Sequence, residues 1–410
     1  MTRREFMKTT STSVAVATAT GTPPQPLGLP KIQSSPSPDL GSHWPVFDQI
    51  SAACVPTMSY LNDEFQDSAS WVDRARARLV EHFHYRPAPC DPNPETLERL
   101  DRGAYIRERV LVSTTPAIRI PVYVLIPKER HGRLPGVVVF HDHGGFYLWG
   151  KEKVVDVEPE HPALAEHKRM YYGGRGIADE LARRGFAVLA ADMLHWGERG
   201  LFLDDDPPRL RERTQEVTEQ DVHEFNARSW AHEELLGRTA LACGATWSGI
   251  IAWDDIRTAD YFISHEEVDP NRVGCLGLSV GAVRTMFLGG IHPAVRASVA
   301  VCWMAEYQSM IRNHVRNGIG FTKLVPGLYN DLDWPDLTGL HWPGHLMTIN
   351  GLQDKLYPLE AARNAVEKIK RVFAKLGAPE KYESVFFDGP HEFNRDMQEL
   401  AFDWLQRRLT

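Results

Sequence analysis

Several features that would settle the class of a chain at once are scarce here. The five cysteines, Cys54, Cys90, Cys243, Cys275 and Cys302, are odd in number and include no CxxC pair. That pattern argues against a cysteine zinc cluster and against a fully paired disulfide framework. No apolar run approaches the roughly 20 residues of a membrane-spanning helix. Basic charge is not in excess: 46 Lys and Arg stand against 54 Asp and Glu, a net charge of −8. Such a chain lacks the basic surface that sequence-independent nucleic-acid binding requires. What is present is ordinary for a folded protein. Hydrophobic residues make up 43% and charged residues 24%, which excludes disorder of the whole chain. The 410 residues allow two or three domains, or one large α/β unit with insertions. A chain of that length buries a sizeable core without disulfide or metal staples.

The start of the chain resembles a twin-arginine export motif: Arg3-Arg4, then Phe6, Met7 and Lys8. A weakly apolar, Thr- and Ala-rich stretch follows. Ala15-Val16-Ala17 and Ala17-Thr18-Ala19 offer small-residue cleavage sites. The competing reading is a tail with a chance Arg pair. Residues 1–20 are therefore expected to be an export signal to the periplasm, with a cytoplasmic protein as the alternative. Residues 21–42, rich in Pro and Ser, read as a linker.

Trp71, Val72, Ala75, Leu79, Val80 and Phe83 have helical spacing, and with the segment from 43 they predict a helical extension over 43–104. Eight strand-like runs follow, at 106–113, 118–126, 136–141, 186–191, 272–277, 297–302, 345–350 and 382–387. Helices are expected at 174–184, 238–264, 280–290, 358–376 and 392–408. A charged stretch over 193–236 interrupts the rhythm. Continuous apolar strands alternating with helices imply a mostly parallel sheet covered on both faces, here with eight strands and spanning 105–410.

Gly277-Leu278-Ser279-Val280-Gly281 lies between a predicted strand and an apolar helix. A GxSxG pattern is weak alone and strong in that setting, because strand, sharp turn and helix are the geometry it serves. Its plain alternative is a Ser capping an ordinary loop. As nucleophile, Ser279 needs a base, and the base needs a carboxylate to hold its tautomer. His391, in Asp388-Gly389-Pro390-His391, follows the last strand. Asp354, in Gly351-Leu352-Gln353-Asp354, follows the strand before it. C-terminal strand ends share one edge of a parallel sheet, so Ser279, Asp354 and His391 are expected to meet there. Glu306 is the reserve acid. The oxyanion hole is expected from the N–H of Val280 and, in His141-Asp142-His143-Gly144-Gly145-Phe146, from those of Gly145 and Phe146. A metal at His141, Asp142 and His143 is set aside, since neighbours on a strand point to opposite faces; His141 is read as a loop organiser. Trp149 and Trp303 are candidates to line the substrate pocket, with core packing as the alternative for each.

Gly-Leu-Ser-Val-Gly, the His-Asp-His-Gly-Gly loop, Gly-Leu-Gln-Asp and Gly-Pro-His together resemble the α/β-hydrolase superfamily. Within it, the chain is similar to the dienelactone-hydrolase-like and acetyl xylan esterase-like branch. Asp192 followed by Gly197-Glu198-Arg199 strengthens the likeness, as does Trp253-Asp254-Asp255-Ile256-Arg257 leading to Asp269-Pro270-Asn271-Arg272. The likeness covers roughly 105–410. Val280 stands where many xylan esterases carry Gln. Glu198 and Arg199 are expected to pair and fix their loop, and Asp269 to be a turn residue. The resemblance implies a serine esterase needing no cofactor or metal. A small-molecule ester is its expected partner, acylated carbohydrate or plant-derived esters being the preferred class. The alternatives are an amidase of the prolyl-oligopeptidase type, a non-catalytic binding protein and an acyltransferase.

Overall fold

The computed structural model describes residues 40–410 except 130 and 313. The export-like start and residues 21–39 lie outside the described residues. The apolar runs form the strands β1 (Glu95–Asp101), β2 (Tyr105–Thr115), β3 (Ile118–Pro127), β4 (Leu134–Phe140), β5 (Ala187–Ala191), β6 (Val268–Leu278), β7 (Val295–Val301), β8 (His345–Gly351) and β9 (Tyr382–Phe387). Their order across one sheet is β1-β2-β3-β5-β4-β6-β7-β8-β9. The pairs β1–β2, β2–β3 and β3–β5 are antiparallel, and every pair from β5 onward is parallel.

The strand count differs from the expected eight. Residues 95–101, inside the stretch predicted as a helical extension, pair as the antiparallel edge strand β1. Its sequence, Glu-Thr-Leu-Glu-Arg-Leu-Asp, is mostly exposed. It carries no buried apolar run, so periodicity does not reveal it. Upstream, the helix Ser68–His82 forms as its spacing predicts. It buries Trp71, Val72, Ala75 and Leu79 in the same apolar cluster as Met286 and Trp303 of the sheet region.

The central strands are buried along their whole length, which their continuous Val and Ala runs permit. The period of two separates their side chains cleanly. Val137, Val139 and Val188 enter one cluster, while Val138, Phe140 and Leu189 enter another on the opposite face.

The single helix expected over 238–264 is two. One runs Glu219–Ala242, starting with a capping box between Thr218 and Asp221 inside the charged stretch. Gly244, at φ +79°, ends it, and Thr246 caps the next helix, Trp247–Ser264, by accepting from the Gly249 N–H.

Candidate active site

Strand β6 ends at Leu278 and the helix Val280–Ile291 begins two residues later. Ser279, between them, has φ +60° and ψ −119°. A side-chain-bearing residue is held there only when its surroundings over-determine it. Those surroundings are two close backbone approaches. A Cβ on Gly277 would sit 2.4 Å from the Gly281 carbonyl carbon. A Cβ on Gly281 would sit 2.5 Å from the Phe140 oxygen and 3.0 Å from the His141 oxygen. The Ser279 N–H is tied to the Val301 carbonyl at 2.9 Å.

The loops after β8 and β9 bring Asp354 and His391 together: His391 Nδ1 lies 2.7 Å from Asp354 Oδ2. The other Asp354 oxygen accepts from the Leu356 N–H at 2.8 Å, which holds the carboxylate in place. With Nδ1 engaged, Nε2 of His391 is left for proton transfer. Cys302, directly after β7, links this pair to the serine. Its Sγ lies within 4.8 Å of ligand atoms of both Asp354 and His391, and it follows Val301, the acceptor of the Ser279 N–H. Burial pushes the Cys302 thiol up, so it is a protonated spacer and not a rival nucleophile. Glu306, the reserve acid, is turned away: it accepts from Ser309 and Asn364.

The loop after β4 differs in detail from expectation. The Gly145 N–H donates to His143 Nδ1 at 3.1 Å and the Phe146 N–H to the His143 carbonyl at 3.3 Å. Both expected donors are thus turned inward to His143. The N–H groups of His143 and Gly144 have no acceptor among the described residues, and Val280 is the first residue of its helix, where an N–H is free. His143 is fixed by a residue that sequence reasoning missed. Glu233, on the helix Glu219–Ala242, accepts from His143 Nε2 at 2.7 Å and from the Tyr147 hydroxyl at 2.8 Å. Lys153 pins the same loop by donating to the carbonyls of Asp142 (2.9 Å) and His143 (3.0 Å). Burial alone would raise the Asp142 carboxyl, but Lys153, His167 and Tyr172 hold it well below its usual range.

No family model matches the chain. YtaP of Bacillus subtilis (strain 168), provisionally described as a hydrolase, is 24% identical over 315 residues, 77% of this chain and 92% of that one. A provisionally described acetyl xylan esterase of Bacteroides fragilis NCTC 9343 superposes with a TM-score of 0.68 at 16% identity, over 89% of this chain and 94% of that chain. A glucuronoyl esterase from Solibacter usitatus gives 0.57 at 13%, over 87% and 98%. The chain has the α/β-hydrolase fold. In open α/β sheets ligands bind outside the C-terminal ends of the parallel strands, the edge that here carries Ser279, Asp354 and His391.

Around this edge, Trp149 and Trp303 are packed in the core. Trp149 stacks between Phe146 and His161, and Trp303 lies 4.9 Å from Trp334 between ring centroids. Only 3% and 1% of their surfaces are exposed, so neither presents a face to a ligand in this structure. The expected Glu198–Arg199 pair is not formed. Glu198 pairs with Lys151 (2.6 Å) and Arg109 (2.9 Å), and Arg199 with Asp254 (2.8 Å). Each arm thus joins a different neighbour to the loop. The expected turn at Asp269 is instead an irregular stretch inside β6, where the pairing with β4 shifts register and Asp269 accepts from the Asn271 N–H at 3.0 Å. His141 does organise its loop. Burial and the charges of Lys153 and Arg284 push its imidazole well below the usual range. The neutral ring faces the Asp142 carbonyl through Nδ1 and accepts from the Met193 N–H through Nε2. Glu152, Asp192 and Glu198 converge as metal ligands do, but the Lys151 ammonium already sits among them.

Proposed function

We propose that the protein is a serine carboxylic ester hydrolase acting through an acyl-enzyme on Ser279. The observation that carries the reading is the 2.7 Å Asp354–His391 bond at the sheet edge where Ser279 is held at positive φ. His391 Nε2 takes the Ser279 proton as the oxygen attacks the ester carbonyl. The tetrahedral oxyanion is received by the Val280 N–H and by the N–H groups of His143 and Gly144. His391 then passes the proton to the leaving alcohol. Water repeats the two steps in reverse roles, releasing the acid and restoring Ser279. Asp354 keeps the imidazole oriented and stabilises its charged form. The esterase descriptions of the structural neighbours support the ester class, and their sugar-linked names favour acylated carbohydrate as the substrate. An export signal over 1–20 would place the enzyme where such polymers are met.

The test is labelling by a fluorophosphonate, read by intact mass and peptide mapping. One adduct on Ser279, absent from Ser279→Ala and from His391→Ala, is expected. Undiminished hydrolysis of activated esters by Ser279→Ala would sink the assignment.

A further inference from the structure

Lys323 is half-buried, and it has fewer protein partners than several other lysines of the fold. Lys151 is surrounded by three carboxylates, Lys168 meets Asp156 and Glu160, Lys368 meets Asp333 and Asp336, and Lys153 donates to two carbonyls. Lys323 has a single partner, the Tyr357 hydroxyl at 3.0 Å, and rests over that ring at 5.6 Å. An ammonium carries three donors, so two of them find no acceptor among the described residues. No carboxylate is within ion-pair distance of it. Burial pushes this lysine down to about 8, and the attraction of Glu233 and Asp354 offsets only part of that.

What sets Lys323 apart from Lys375, which likewise has one acceptor and rests over a tyrosine ring, is its position. Tyr357 lies three residues from Asp354, and its ring is 6.1 Å from that of His391. Glu233 holds His143 in the loop after β4. Lys323 is therefore bonded to a neighbour of the Asp354–His391 pair and feels the charge of both Asp354 and Glu233 while bonded to neither carboxylate. Its backbone is fixed: the buried Ser248 hydroxyl lies 3.0 Å from the Thr322 carbonyl and 3.2 Å from that of Leu324. A half-exposed cation with one protein partner, standing beside the reacting groups, has donors available to an anionic group of a ligand.

We propose that Lys323 is a specificity-determining residue that receives a carboxylate on the substrate, so that the enzyme favours esters bearing a free acid group. The inference rests on the esterase reading. The test uses the full chain and two matched pairs. One is 4-carboxyphenyl acetate against 4-carbamoylphenyl acetate, with the charge on the alcohol side. The other is the mono-4-nitrophenyl ester of adipic acid against 4-nitrophenyl hexanoate, with the charge on the acyl side. In at least one pair the charged-to-neutral ratio of kcat/KM is expected to fall about tenfold in Lys323→Met, the size of one charge-assisted hydrogen bond, and to be largely kept in Lys323→Arg. The preference should also fade as pH rises through about 8. The other titrating groups facing the lysine, Tyr357, Asp354 with His391, and Glu233 with His143 and Tyr147, act on both members of a pair and cancel in the ratio. A ratio that moves less than threefold in both pairs overturns the inference alone. Failure to hydrolyse any of the four esters, with Ser279 unlabelled, removes the esterase reading and this inference together.

Discussion

Replacing Lys151 by Met tests whether the charge cluster behind the active-site loops holds them in place. In the native protein the ammonium is fully buried at 2.6 Å from Glu198, 2.8 Å from Asp192 and 3.0 Å from Glu152. The same carboxylates also organise backbone: Asp192 accepts from the N–H groups of Lys151 (2.7 Å) and Glu198 (3.1 Å), joining the loops after β4 and β5. Met fills most of the space but removes the charge. Arg213 remains near Glu152 and Glu198, and Arg109 near Glu198, so Asp192 loses most. Breaking a buried pair from one side costs about 3–5 kcal/mol. Unfolding entropy near 2 cal/mol/K per residue over about 370 folded residues gives roughly 0.8 kcal/mol/K, hence a Tm lower by about 4–6 °C. The pH dependence has a definite sign. Burial already raises the Asp192 carboxyl in the native protein, and losing the lysine raises it further. The folded variant then takes up a proton that the unfolded chain does not, so its stability recovers as pH falls through that raised value. Melting curves of both proteins followed by circular dichroism at pH 7.5 and 5.5 measure the deficit. A Tm within 1 °C of the native protein at pH 7.5, or a deficit that widens at pH 5.5, refutes the reasoning.

Asp354→Asn should leave the fold intact and lower kcat by about ten-thousandfold, because the amide favours the wrong imidazole tautomer; steady-state rates on 4-nitrophenyl acetate with a matched melting curve check it. Gly281→Ala places a Cβ 2.5 Å from the Phe140 oxygen, an atom of backbone that cannot rotate away. The helix start and the loop after β4 must separate, with an expected loss of about 1–3 kcal/mol in stability and about a hundredfold in kcat/KM. Denaturant unfolding and ester hydrolysis measured on one preparation separate the two effects.

The parts of the site that were legible in the sequence are those a short stretch of chain determines. Gly277 and Gly281 are dictated by local backbone approach, Asp354 follows the buried apolar strand β8, and His391 follows the half-buried edge strand β9. The edge strand β1 was not legible, because an exposed strand paired on one side needs no apolar alternation to form. The break at Gly244 was missed because residues on either side of it share helical character. Gly145 and Phe146 were natural oxyanion donors by glycine content, yet His143 captures both N–H groups, and His143 itself is set by Glu233, 90 residues away.

The same contrast explains where specificity resides in this fold. A residue that acts through strand ends announces itself by what precedes it, since the sheet fixes its place before any other contact forms. Glu233 and Lys323 come from segments with no such support. Glu233 stands on the helix Glu219–Ala242, and Lys323 on a turn held by Ser248 and by Phe321 against Gly237. Neither has a local pattern, and each gains its meaning only from groups brought beside it by the rest of the chain. Such segments can change without disturbing Ser279, Asp354 or His391, since the elbow and the two strand-end loops are braced by β6, β7, β8 and β9. One strand-end edge can therefore serve many chemistries, and segments such as those carrying Glu233 and Lys323 are where a difference in ligand would be written.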